Sequence, residues 1–272
     1  MKRKKLTVAC IAVVVLCVLG YVYFGYGNRV SPLARIARGM IMRGDWEDGI
    51  RLLEFNARLF PGSVNAHTSL GRAYFYHSDR DKARHEIQKA LEMDPDLLVN
   101  IIFWKKLMLL PEGFKVPEIL ATNSFRIRPL MASDVELDYA AVMSSVKHLK
   151  GVLGDKWPSD DMTKKEDLRA LKMHEEQFAR REMFTYTVMN NNETECLGCI
   201  YIGYSKLDDY DAQVVMWVTQ DSYDAGLDSI LFETVDKWLR TEWPFEKVIY
   251  PGRTLSWEEF YRRLTEQDKK YH

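Results

Sequence analysis

Cysteine is scarce in this sequence: four in 272 residues. That is too few for the disulfide framework of a small secreted domain, and Cys10 and Cys17 fall in the first apolar run. An excess of one charge is also missing. Lys plus Arg number 38 and Asp plus Glu 39, for a net charge of -1, so nothing electrostatic points to a nucleic-acid partner. Metal-binding spacings are absent too. His67, His77, His85, His148 and His174 are scattered, and His174-Glu175-Glu176 lacks the second histidine of a zinc helix. No metal ligand set is read from the sequence. What is present is ordinary globular chemistry, 47% hydrophobic and 28% charged, in a length that suits one large or two small domains.

Charge is absent from one stretch in particular, Leu6 to Asn28, behind the basic cluster Lys2-Arg3-Lys4-Lys5. Its core, Leu6 to Phe24, has 19 residues. At ~1.5 Å per residue that is just under the ~30 Å hydrocarbon thickness. Tyr21, Tyr23 and Tyr26 stand where an interfacial aromatic belt belongs. No small-x-small cleavage site comes after it, so residues 1–28 read as an uncleaved single-pass anchor, with residues 6–27 against a lipid bilayer. The basic cluster favours a cytoplasmic N-terminus at the cell membrane. Arg29, Arg35, Arg38 and Arg43 on the other side weaken that bias.

Beyond the apolar run the chain repeats itself. Pro61 and Pro95 are 34 residues apart, and Leu70, Gly71, Tyr74, Ala83, Ile87, Ala90 and Pro95 fall at fixed offsets within one copy. This pattern resembles the tetratricopeptide (TPR) helix–turn–helix repeat over 64–97. A degenerate copy covers 30–63 through Ile36, Ala37, Met40, Gly49, Leu53, Asn56 and Pro61. Residues 98–110 read as an apolar helix that caps the pair or docks on the next domain, giving a region of 29–110. The resemblance implies a groove for a peptide or protein. Arg38 and Arg72 sit at equivalent positions, either for a carboxylate partner or simply in solvent.

From Leu110-Pro111 a linker is expected over 111–123, then a domain over 124–272. Its runs read β-α-α-β-β-β-α-β-α, with strands at 125–130, 184–190, 196–204, 212–219 and 246–250. Thr163 with Glu166 forms a capping box, and Ser256 can cap a last helix. The order is that of an α+β domain. It resembles the GNAT N-acetyltransferase superfamily over 125–265, in an atypical form carried by Trp157-Pro158, Leu197-Gly198-Cys199-Ile200-Tyr201-Ile202, Trp217-Val218 and Trp243-Pro244-Phe245. The expected fold class is therefore α+β: an N-terminal transmembrane helix, a short α-helical TPR hairpin array, and a GNAT-like mixed sheet with flanking helices.

The resemblance implies acetyl-CoA as co-substrate, held at a strand-to-helix turn. Carried onto this chain, the cofactor-binding residues are Val218, Thr219, Gln220, Ala225, Gly226 and Leu227, and the candidate general acid is Tyr261. The turn departs from the family pattern. It has one glycine, no arginine, and acids at Asp221, Asp224 and Asp228 where phosphates would lie. The Gly-Phe that usually comes after the tyrosine is absent, and the two final strands of a full superfamily domain have no counterpart before His272. Tyr261 can equally be an ordinary helix residue, and the turn a plain cap. The implied function is a membrane-anchored N-acyltransferase moving an acetyl group to an amine; the alternative is a tethered interaction protein without catalysis. Cys196 and Cys199, three apart in a strand, are expected on opposite faces, as core residues.

Overall fold

The computed structural model describes residues 31–153 and 157–269. They divide into two units, with the boundary after Leu107. The expected span at 6–24 lies outside the described residues. Among those described, no helix is long and apolar enough to cross a membrane. The fold-class expectation is corrected on that finding: the described chain is a helical unit and then a mixed α/β unit with a six-stranded sheet.

The first unit consists of α1 (Pro32–Met42), α2 (Trp46–Leu59), α3 (Val64–Tyr76), α4 (Arg80–Met93) and α5 (Leu98–Met108). Ser31, Ser63 and Asp79 cap α1, α3 and α4 through their side chains. The two hairpins, α1–α2 and α3–α4, use the same device, with the partners exchanged. In the first, Gly49 of α2 lies against Ala37 and Ile41 of α1; in the second, Gly71 of α3 lies against Ile87 of α4. A Cβ on Gly71 would come within 2.8 Å of two Ile87 side-chain atoms, so the glycine sets how closely the helices approach. Phe103 of α5 meets Phe75 edge to face at 5.0 Å, and Thr68 donates to Asn100 Oδ1 across 2.9 Å.

The second unit is built on strands β1 (Leu120–Ala121), β2 (Arg126–Pro129), β3 (Met183–Met189), β4 (Cys196–Tyr204), β5 (Ala212–Val218) and β6 (Val248–Ile249), hydrogen-bonded in that order. β1 lies in the stretch expected to be linker. All neighbours are antiparallel except β5 and β6. A 3-10 turn (Ala132–Asp134), α6 (Val135–Ser144), α7 (Val146–Val152) and α8 (Lys164–Ala179) come after β2. Ser145 separates α6 from α7. After β5 come α9 (Gln220–Asp224) and α10 (Leu227–Glu242), and after β6, α11 (Trp257–Asp268).

Period-two alternation divides the sheet into two faces. Phe184, Tyr186, Ile200, Ile202, Val214, Met216 and Val218 join Leu231, Val235, Trp238 and Leu239 of α10 in the main core. Tyr186, Trp238 and Trp243 meet edge to face at 5.2–6.4 Å. Such pairs add about 0.5–1.5 kcal/mol each to their burial. Cys196, Cys199, Met189 and Trp217 join Ala141, Val142 and Leu171 of α6 and α8 on the other face. Both cysteines therefore face the same way, and the expectation of opposite faces is corrected. The pairing register shifts between Val188 and Met189: Val188 faces Gly198, but Met189 faces Cys196. The extra residue, Leu197, is a bulge that rotates Cys196 onto the face of Cys199.

Candidate functional site

The parallel pair β5–β6 is joined only at Ala212↔Val248 and Gln213↔Ile249. β5 runs on to Val218 against β4, while β6 stops at Ile249. Among the described residues, one edge of β5 has no partner strand from Val214 onward, and the two strands fork. Strand ends at such a change of order are where open sheets commonly bind ligands.

The turn expected to cradle phosphates closes the fork's mouth. Its opening amides are already bonded. Thr219 N–H donates to Leu197 O at 2.9 Å, Gln220 N–H to Ser145 Oγ at 2.9 Å, and Ser222 N–H to Thr219 Oγ1 at 3.2 Å. Val218 is fully buried. Residues 220–224 form a short helix instead of an open loop. Ala225 and Gly226 then turn the chain, their N–H groups donating to Asp221 O and Tyr223 O. Gly226 adopts a left-handed φ of 81°, which a side chain would strain. α10 begins at Leu227 without a side-chain cap, so its first-turn N–H groups lack partners within the helix. The six residues named for the cofactor thus lie along one turn, and most of its amides ahead of α10 are already bonded.

Arg253 is largely buried and paired. It reaches from the turn after β6 to Asp228 in the first turn of α10. Nη1 lies 2.8 Å from Oδ2 and Nη2 2.5 Å from Oδ1. Nη2 also donates to Met216 O on the open edge of β5 at 3.4 Å, and the guanidinium lies over the Phe232 ring. This ion pair spans the fork. It was invisible in the sequence, because its partners are 25 residues apart with no motif between them.

Tyr261 lies on α11, 47% exposed, stacked on Trp257 at 5.8 Å. Trp257 is anchored by its indole N–H to Val152 O at 2.9 Å. Among the described residues, no hydrogen bond or ring contact joins Tyr261 to the turn at 218–227. In the helical unit Arg38 is exposed, while Arg72 is half-buried with its guanidinium 5.3 Å from the centre of the Phe103 ring. The two arginines share a position in the repeat but not an environment.

A second cluster joins Asp138 to the two cysteines of β4. Under α6 and α8, Cys199 Sγ lies 3.3 Å and Cys196 Sγ 3.9 Å from Asp138 Oδ1. Asp167 bonds to the Asp138 carboxyl from α8. Burial is the first cause raising both acids above the usual carboxylate range, and their mutual repulsion adds to the rise of Asp167. The bond to Cys196 and burial hold the Cys199 thiol protonated. The one available hint was Leu197-Gly198 between the cysteines, since a glycine inside a strand marks a bulge or a close approach.

No family profile matches this chain, and no curated protein matches it. Solved structures do. The ribosomal-protein-S5-alanine acetyltransferase of Vibrio fischeri shares 12% identity over 56% of this chain and 82% of its own, with a TM-score of 0.41. A ribosomal L7/L12 alpha-N-protein acetyltransferase solved with coenzyme A shares 17% over 45% and 68%, with a TM-score of 0.38. A Vibrio cholerae protein assigned as a ribosomal-protein-serine acetyltransferase shares 10% over 44% of this chain, with a TM-score of 0.35. The match spans 65% of that last chain, just under two thirds.

Proposed function

We propose that the second unit is a GNAT-like N-acyltransferase taking acetyl-CoA as donor and an amine as acceptor, and that the hairpins of the first unit are a TPR-like module for the acceptor protein or peptide. The observation that carries this reading is the fork: residues 214–218 of β5 present an edge with no partner strand among the described residues. A pantetheine arm carries amides that pair with such an edge. Diphosphate suits the uncapped start of α10, where partial positive charge gathers. Tyr261 is the candidate proton donor to the leaving thiolate, and Arg38 and Arg72 are candidate contacts for an acidic acceptor.

The side chains oppose the fit that the backbone allows. Asp221 and Asp224 bring carboxylates to the turn, and Arg253 is committed to Asp228. That ion pair favours a second reading, a GNAT-like domain that binds partners and transfers nothing. Thiol release from acetyl-CoA, measured with the full chain against a panel of amines and acidic peptides with a free amine, separates the two. Acceptor-dependent release supports transfer. Release no faster than spontaneous hydrolysis across the panel leaves the binding module.

A further inference from the structure

We infer that Asp138, Cys196 and Cys199 ligate one thiophilic divalent cation, of the zinc class, beneath α6 and α8. The three side chains come from α6 and both ends of the β4 bulge, and their ligand atoms all lie within 4.8 Å of one another. Zinc binds thiolate at ~2.3 Å and carboxylate at ~2.0–2.2 Å. A tetrahedron of those bonds has a sulfur-to-oxygen edge of about 3.5 Å. The observed edges, 3.3 Å to Cys199 and 3.9 Å to Cys196, bracket it.

A second observation points the same way. Asp167 is only 3% exposed, it bonds to the Asp138 carboxyl, and among the described residues no nitrogen or hydroxyl donates to its Oδ2. Asp138, Cys196 and Cys199 are 4%, 3% and 1% exposed. Among the described residues, no basic side chain is hydrogen-bonded to either acid; Arg128 bonds Asp134 and Glu193 instead. A buried carboxyl without a cationic partner either stays protonated or coordinates a metal. Asp167 is the orienting carboxyl behind Asp138, and a water would complete the fourth position.

Binding balances simply. The two thiols give up their protons to solvent and become thiolates. The ion's two positive charges offset them. One proton stays between Asp138 and Asp167, leaving the site at a single negative charge. The bulge is what makes this possible, because a regular strand would turn Cys196 away. The site stands apart from the fork and requires no acyl transfer.

The test is metal analysis of the full chain purified without chelator, then stripping and reloading with Co2+. The expected result is about one zinc per chain, and on reloading a near-ultraviolet thiolate-to-cobalt charge-transfer band with the visible bands of a tetrahedral ion. Cys196→Ser and Cys199→Ser should each abolish the band, and Asp167→Asn should keep it with about 10–100-fold weaker affinity. If a serine variant fails to fold, the wild-type spectrum still decides. No bound metal and no charge-transfer band in the folded wild-type chain would overturn the inference.

Discussion

Arg253 and Asp228 meet fork to fork, Nη1 on Oδ2 at 2.8 Å and Nη2 on Oδ1 at 2.5 Å, across the gap where β5 and β6 part. Both side chains are four-fifths buried. A bidentate pair in such a place is strong and directional. It ties the turn after β6 to the start of α10, and it places a carboxylate where an anion would approach the helix amides.

Asp228→Asn is therefore predicted to tighten coenzyme A binding about tenfold, by removing the repelling charge and releasing the guanidinium. Arg253→Ala should weaken binding or leave it unchanged. Titration calorimetry on the two variants and the wild type checks the signs. Tighter binding by Arg253→Ala would show that the arginine blocks the gap.

Gly198 gives the sharpest stability prediction. A Cβ there would lie 2.1 Å from Trp217 O and 2.9 Å from Val218 Cα, both backbone atoms of β5. Neither can swing aside, so Gly198→Ala should cost about 3 kcal/mol or more in urea unfolding. Gly71→Ala meets a side chain instead, Ile87, which is fully buried. Its cost should be about 1–2 kcal/mol, and Ile87→Val should recover part of it by removing Cδ1.

Much of this architecture was legible. The alternation in 184–190, 196–204 and 212–219 placed the three long strands within a residue of where they run, because each has one sequence register that buries its apolar set. The 34-residue offset marked the small residues where the hairpin helices touch. The bulge at Leu197 was not legible as geometry, since one extra residue reverses the parity on which face assignments rest. Nor was the helical turn at 220–224. Ser145, between α6 and α7, supplies its first hydrogen bond from 75 residues away, which no local pattern signals. The Arg253–Asp228 pair failed for the same reason: it is set by tertiary closure.

The helical unit should show its own pH dependence. His67 Nδ1 lies 2.6 Å from Glu86 Oε2, and Nε2 lies 3.0 Å from Pro61 O. Two acceptors favour the doubly protonated ring, and the bond to Glu86 is the main cause raising His67 above its ordinary 6.5. For Glu86, burial works upward, but the bond to His67 and the charges around it outweigh burial and lower it below its ordinary 4.5. The histidine's contribution is complete below pH 6.5 and is lost as pH rises through its raised folded value. That of the glutamate is complete above pH 4.5 and is lost as pH falls through its lowered folded value. Melting monitored by circular dichroism should show greatest stability of this unit between those limits. His67→Gln should flatten the alkaline limb and cost about 2 kcal/mol at about pH 6.

Arg128 holds a comparable position in the second unit. It is bidentate to Asp134 at 2.8 and 2.9 Å and bonds Glu193 at 2.9 Å, joining β2 to the 3-10 turn and to the β3–β4 connection. Arg128→Ala leaves Asp134 buried without its cation, at a predicted cost of about 3–5 kcal/mol. Arg128→Lys should recover only part, because an ammonium cannot fork. Chemical denaturation of the three chains reads the order directly.

Whether the fork binds an acyl donor decides the functional reading. The most direct measurement is thermal unfolding of the full chain with and without millimolar coenzyme A and acetyl-CoA. A ligand at about 100 times its Kd stabilises by about 2.7 kcal/mol, a shift of several degrees for a domain of this size. The account predicts such a shift, confined to the transition of the sheet-bearing unit and larger in Asp228→Asn. No shift in either chain would contradict it and leave the domain as a binding scaffold.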